Sequence, residues 1–194
     1  MSICCIATIT SFARHPAETG RLISHTETGL LAGNPNNETI APFIFHSSLN
    51  YAFHKDLSAG IGAGFEFLQE TYLPVTANLL YQFGNGKAVS PFVRFQAGWQ
   101  IPLESNTFTL GDNYYYYPSY SSRPDYYPST AVKLDSKGGF MTNPSAGIIL
   151  HTRTGLGVSL SAGYRYQKIK YQDGKNYELN VEYNRLSLTL GIIF

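Results

Sequence analysis

Arg185-Leu186-Ser187-Leu188-Thr189-Leu190-Gly191-Ile192-Ile193-Phe194 is the stretch whose reading decides the fold. Side chains alternate along a strand, so Leu186, Leu188, Leu190, Ile192 and Phe194 share one face while Arg185, Ser187, Thr189 and Gly191 share the other. One such strand does not name its solvent, because a soluble sheet with a buried side shows the same alternation. The question is whether the pattern repeats, and how.

It repeats along the whole chain. Ile23–Gly33 sets Thr28, Leu30 and Ala32 against His25, Glu27 and Gly29, and 40–53 sets Phe43, Phe45, Leu49, Tyr51 and Phe53 against His46, Ser48 and Asn50. Leu57–Phe67 alternates Leu, Ala, Ile and Phe with Ser58, Gly60, Gly62, Gly64 and Glu66. The next segments, 73–83, 91–103, 139–151 and 156–171, keep the rhythm, with Arg94 and Arg165 on the polar side and Trp99, Tyr164 and Tyr166 on the apolar side. With the closing segment the count is eight strands. Turn chemistry such as His54-Lys55-Asp56 and Gly84-Asn85-Gly86-Lys87 separates them, which predicts hairpin connections and an all-β, antiparallel up-and-down barrel.

Composition supports that class. Charged residues make up only 14% of the 194 residues while aromatics reach 14%, with 15 Tyr, 12 Phe and 18 Gly, a mix that disfavours both a helical domain and disorder. A net charge of +1 lacks the basic excess of a nucleic-acid-binding face. No apolar run approaches the roughly 20 residues of a membrane helix, so a membrane reading requires a barrel.

Three features favour lipid outside. The connections after strands two, four and six read as tight and those after one, three, five and seven as longer, the order of periplasmic turns and outer loops. Aromatics on the apolar faces sort by height: Phe43, Phe45, Phe65, Phe67, Trp99, Tyr164 and Tyr166 towards the outer end, and Tyr51, Phe53, Tyr81, Phe83 and Phe194 towards the inner end. Phe43 to Phe53, rising about 3.3 Å per residue with a tilt near 40°, spans roughly 25 Å, the height of a lipid-facing band. Finally Glu27, Glu66, Arg94, Arg165, Arg185, His25 and His46 all take the other parity. An eight-stranded lumen is narrow enough for such side chains to meet, and we expect Glu27 and Glu66 to pair with some of the arginines in a closed polar network.

Across Ile23 to Phe194 the chain resembles the small eight-stranded OmpA/OmpX-type outer-membrane proteins of Gram-negative bacteria. That resemblance implies a transmembrane barrel in contact with outer-membrane lipid. It also implies that Leu186-x-Leu188-x-Leu190-x-Ile192-x-Phe194 is the signal presented to the outer-membrane barrel assembly machinery. The chain departs from the family in lacking a clear signal peptide at Met1. Residues 1–20, with adjacent Cys4 and Cys5, are expected to be a signal remnant and linker ahead of a single barrel domain, 21–194.

The functional readings differ in class. The lumenal Glu and Arg residues could serve catalysis or a pore, but the narrow lumen favours a structural plug. His25 and His46 share a face on neighbouring strands and read as an interior hydrogen-bonding pair, because a metal site would want a third ligand; no metal or other cofactor is expected. Acyl hydrolysis by a Gly-x-Ser-x-Gly elbow is not encoded. Lys168 and Lys170 read either as contacts to lipid phosphates or as ordinary rim charges. The long stretch 104–137 carries Tyr114, Tyr115, Tyr116, Tyr117, Tyr120, Tyr126 and Tyr127, a rigid amphipathic surface suited to a ligand or protein partner, or else a surface loop with no specific ligand. The leading expectation is a non-enzymatic outer-membrane barrel with a structural or surface-binding role. The alternatives are a soluble lipocalin-like barrel holding a small apolar ligand and a lipid-modifying outer-membrane enzyme.

Overall fold

In the computed structural model the described residues are 19–33, 41–68, 71–84, 87–103, 107–109, 133–152, 155–172 and 178–194. Nine strands occupy them: β1 Arg21–Ala32, β2 Phe43–His54, β3 Leu57–Phe67, β4 Thr71–Gln82, β5 Val89–Pro102, β6 Thr107–Thr109, β7 Lys133–His151, β8 Gly157–Gln172 and β9 Glu178–Ile193. Every pairing is antiparallel, each strand joins the next except that β5 pairs with β7 rather than β6, and β6 pairs only with β7. β9 returns to β1 in the register His25↔Ile193 to Ala32↔Leu186, which closes an eight-stranded barrel. Backbone bonds between Ser24 and Phe194, 2.8 and 3.0 Å, lock the seam at the end where β1 begins and β9 finishes. We call this end the base and the opposite one the rim.

Alternation explains why these segments are strands, and burial shows which way each face looks. Along β9, Arg185, Ser187, Thr189 and Gly191 point inward and are buried, whereas Leu186, Leu188, Leu190 and Ile192 point out, Leu188 being 48% exposed. The same holds around the ring: Phe45, Ile61, Leu79, Phe95, Ile148 and Leu160 lie on the outer surface. Fully paired backbone and an apolar exterior are what a strand structure needs inside a bilayer. Among the described residues no helix is long and apolar enough to cross a membrane. The lipocalin-like alternative needed the apolar parity inside, and this burial excludes it.

Aromatic residues border the exterior band. Towards the rim Phe43 pairs with Phe67 and Phe45 with Phe65 across β2–β3, and Trp99 lies opposite Phe140 across β5–β7. Towards the base Tyr51, Phe53, Tyr81, Phe83 and Phe194 are exposed, with the Tyr81 and Phe83 rings in edge contact at 4.8 Å.

Two expectations require correction. The connections do not alternate strictly in length: β3 and β4 are joined at the rim by 68–70 alone, whereas the base connections 83–88 and 152–156 are longer. The stretch 104–137 is not wholly loop either. β7 begins at Lys133, and β6 pairs with it, Thr107↔Asp135 to Thr109↔Lys133. β7 continues past the barrel wall because a bulge between Ser136 and Gly139 lets it bend, with Gly138 at φ 75° against the Gln100 carbonyl, where a Cβ would clash. Cys4 and Cys5 and the tyrosines from Tyr114 to Tyr127 lie outside the described residues.

Candidate functional site

The lumen is built from the inward parity of all eight barrel strands, and its charged residues gather into two clusters. In the lower one Arg94 of β5 donates to Glu27 of β1 at 2.8 Å, and Thr189 of β9 donates to the same carboxylate oxygen at 2.9 Å. The Thr189 hydroxyl also lies 2.6 Å from Ser161. His46 of β2 stands with its Nδ1 3.8 Å from Glu27 and its Nε2 2.9 Å from the Thr76 hydroxyl. In the upper cluster Glu66 of β3 is paired with Arg165 of β8 and receives the side-chain amides of Gln100 and Gln167, the latter at 2.9 Å. Elsewhere on the inner face Asn143 donates to Gln96 at 3.1 Å and accepts from Ser187 at 3.0 Å.

His25 and His46 sit in the lower cluster without bonding each other, each reaching a hydroxyl instead. Both rings occupy space left by a glycine: a Cβ on Gly62 would fall 2.5 Å from the His46 ring, and one on Gly191 would fall 2.8 Å from His25 Nε2. The glycine-lined face of β3 is therefore a cradle for a large side chain from the next strand.

The His25 contacts decide its chemistry. A guanidinium can only donate, so the 3.2 Å contact from Arg94 makes His25 Nδ1 the acceptor. Its Nε2 then carries the hydrogen and donates to Ser159 at 2.9 Å. A serine nucleophile needs a histidine lone pair at that position, so this Ser–His contact has the wrong tautomer for activating Ser159. Both carboxylates are engaged by cations, hydroxyls or amides, and neither is held in the apolar, unpaired setting that makes a general acid. No group of three His, Cys, Asp or Glu that could hold a metal occurs among the described residues.

Arg185 is the exception. It is 2% exposed, and its guanidinium lies over the Tyr183 ring with 5.2 Å to the centroid, but its Nε, NH1 and NH2 have no hydrogen-bond partner among the described residues.

Apolar plugs close both ends of this polar column, a feature that counting charges along the strands did not disclose. At the base Leu80, Phe92 and Ile149 are buried together with Ile193 against them. At the rim Tyr72, Ile169 and Tyr171 pack with Leu68, Leu179, Val181 and Tyr183, and the Tyr72 hydroxyl reaches Ser136 at 3.0 Å. Beyond the band, Lys168 and Lys170 form ion pairs with Glu182 and Glu178 at 3.3 and 2.8 Å. They are outer-surface charges with partners on β9.

No family model and no curated protein matches the sequence. Solved structures match in shape. The outer membrane protein OprG from Pseudomonas aeruginosa superposes with a TM-score of 0.55 at 9% identity, covering 91% of this chain and 97% of that one. Neisserial surface protein A gives 0.53 at 13%, covering 89% and 94%. The outer membrane protein AlkL, solved in lipid bilayers, gives 0.52 at 10%, covering 93% and 92%. Identities this low speak for fold alone, and together with the apolar exterior and polar lumen they establish that the chain folds as a small eight-stranded transmembrane β-barrel of the outer-membrane type.

Proposed function

We propose that this is a non-enzymatic protein of the bacterial outer membrane, in which the barrel is a rigid anchor and the rim presents binding surface. The observation that carries the reading is the lumen: among the described residues its polar groups bond one another between apolar clusters at base and rim, and the Ser159–His25 contact has the wrong tautomer for a nucleophile. The rim supports the second half. β7, β8 and β9 run past the apolar band at the rim, where the connection that follows β5 begins. That connection carries Tyr114–Tyr117, Tyr120, Tyr126 and Tyr127, which we assign to recognition of a surface ligand or protein partner. Partners of the barrel itself are outer-membrane lipid and, through the terminal row ending at Phe194, the barrel assembly machinery.

Planar-bilayer recording of the refolded protein tests the sealed lumen. Insertion without steady conductance is expected, and an ohmic pore overturns the reading. Incubation with outer-membrane lipid followed by mass spectrometry tests the lipid-modifying alternative, in which a cleaved or transferred acyl chain would replace the unchanged lipid expected here. Replacement of Tyr114–Tyr117 by serine then tests the rim on a glycan array: wild-type binding that the variant loses is expected, and equal profiles remove the tyrosines from recognition.

A further inference from the structure

We propose that the barrel lumen holds a small monovalent inorganic anion, chloride in the cell, bound by Arg185. The inference starts from charge. Among the described residues, the membrane-zone lumen encloses two carboxylates, Glu27 and Glu66, and three guanidinium groups, Arg94, Arg165 and Arg185. Arg94 is matched by Glu27 and Arg165 by Glu66. His25 is neutral by its contacts and supplies no negative charge. One positive charge remains, and it resides on Arg185.

The surroundings sharpen the assignment. Arg185 lies directly opposite Arg165 in the β8–β9 ladder, and like charges at facing positions repel. An unpaired buried charge is among the costliest features a fold can retain, because desolvation is not repaid by a partner. The Tyr183 ring offers its face to the cation, yet among the described residues the three guanidinium nitrogens find no hydrogen-bond acceptor. An anion accepting from them would neutralise the excess and screen Arg185 from Arg165. Neighbouring polar groups on the same inner face, Ser187 and Asn143, are already bonded to one another.

The plugs set the size of the occupant. The Tyr72, Ile169 and Tyr171 layer lies rimward of Arg185, and the Leu80, Phe92 and Ile149 layer closes the base. A phosphate attached to a lipid could not reach Arg185 past either layer, whereas a halide enters during folding or breathing of the rim.

Thermal unfolding of the whole chain in detergent, followed by the gel shift of unboiled samples, tests the site. At constant ionic strength chloride is exchanged for gluconate, which is too large for the lumen. The wild-type midpoint is expected to rise with chloride and saturate, as for a ligand bound only by the native state. Arg185→Met is expected to lose that dependence and to melt above the wild type in pure gluconate, since it removes the unmatched charge. A wild-type midpoint indifferent to the exchange, or an equal response in the variant, overturns the proposal. Should Arg185→Met fail to fold, wild-type crystals grown in bromide decide: an anomalous peak within hydrogen-bond reach of the Arg185 guanidinium supports the site, and its absence removes it.

Discussion

The lower and upper parts of β8 and β9 obey opposite rules on one unbroken ladder. Below the rim, Val158, Leu160, Leu188 and Leu190 face out while Ser159, Ser161 and Thr189 face in; above it, Lys168, Lys170, Glu178 and Glu182 face out while Ile169, Tyr171, Leu179 and Val181 face in. Strand geometry, twist and pairing continue through the change, so nothing in the backbone causes it. What changes is the solvent. The chain buries polar groups where the outside is hydrocarbon and apolar groups where the outside is water, and the inversion between Tyr166 and Lys168 on β8, matched between Asn184 and Glu182 on β9, marks where the bilayer ends.

The comparison can be broken most severely inside the membrane zone. Arg94→Met leaves the Glu27 carboxylate buried without its cation, and we expect a loss of about 3–5 kcal/mol in urea unfolding from lipid vesicles. Leu190→Arg places a charge midway down the exterior row of β9 and should cost about 2–4 kcal/mol. Asn180→Arg introduces the same charge on the exterior of the same strand above the boundary, and it should stay within about 0.5 kcal/mol. Equal penalties at the two sites would move or abolish the boundary. Gly62→Ala asks whether the polar interior is packed as tightly as an apolar core: the added Cβ meets the His46 ring and the Ser47 carbonyl, and we expect about 1–3 kcal/mol of destabilisation.

The smallest effect belongs to the rim's water-facing side. Hydrogen bonds from Lys170 and then Asn180 hold the Glu178 carboxyl below its ordinary value of 4.5. Its contribution is thus present above that pH and lost as pH falls through the lowered value. The group is fully exposed, so Glu178→Gln should leave the neutral-pH midpoint almost unmoved and only slightly flatten its acid dependence. A large effect there would mean that the pair is shielded by lipid and the boundary lies higher than drawn.

Most of the barrel was legible because period-two alternation over long runs leaves few other structures possible, and closure follows when every strand has the same two faces. The direction of the polar face was legible from Glu27, Glu66, Arg94, Arg165 and Arg185 sharing one parity. Which acid meets which arginine was not. Glu27 and Arg94 are 67 positions apart and meet across the lumen, a distance fixed by barrel shear rather than by any local pattern. The plugs were hidden for another reason: Leu80, Phe92 and Ile149 occupy inward positions singly, one per strand, and become a layer only when the strands are staggered into a ring. The inversion on β8 was visible in principle, since Gln167-Lys168-Ile169-Lys170-Tyr171 keeps the alternation while exchanging its faces.

The β1–β9 seam sets a temporal order. Thr189 and Glu27 stand 162 positions apart, so the ring is clasped by its first strand in sequence and its last. Closure cannot begin until β9 is available to pair with β1, and it carries the slow kinetics of contacts remote in sequence. Until then the partly paired sheet has two raw edges that hydrocarbon cannot satisfy. Such a chain can be threaded into a bilayer only as a nearly finished object, and its rate of insertion should depend on the clasp more than on any other ladder in the ring.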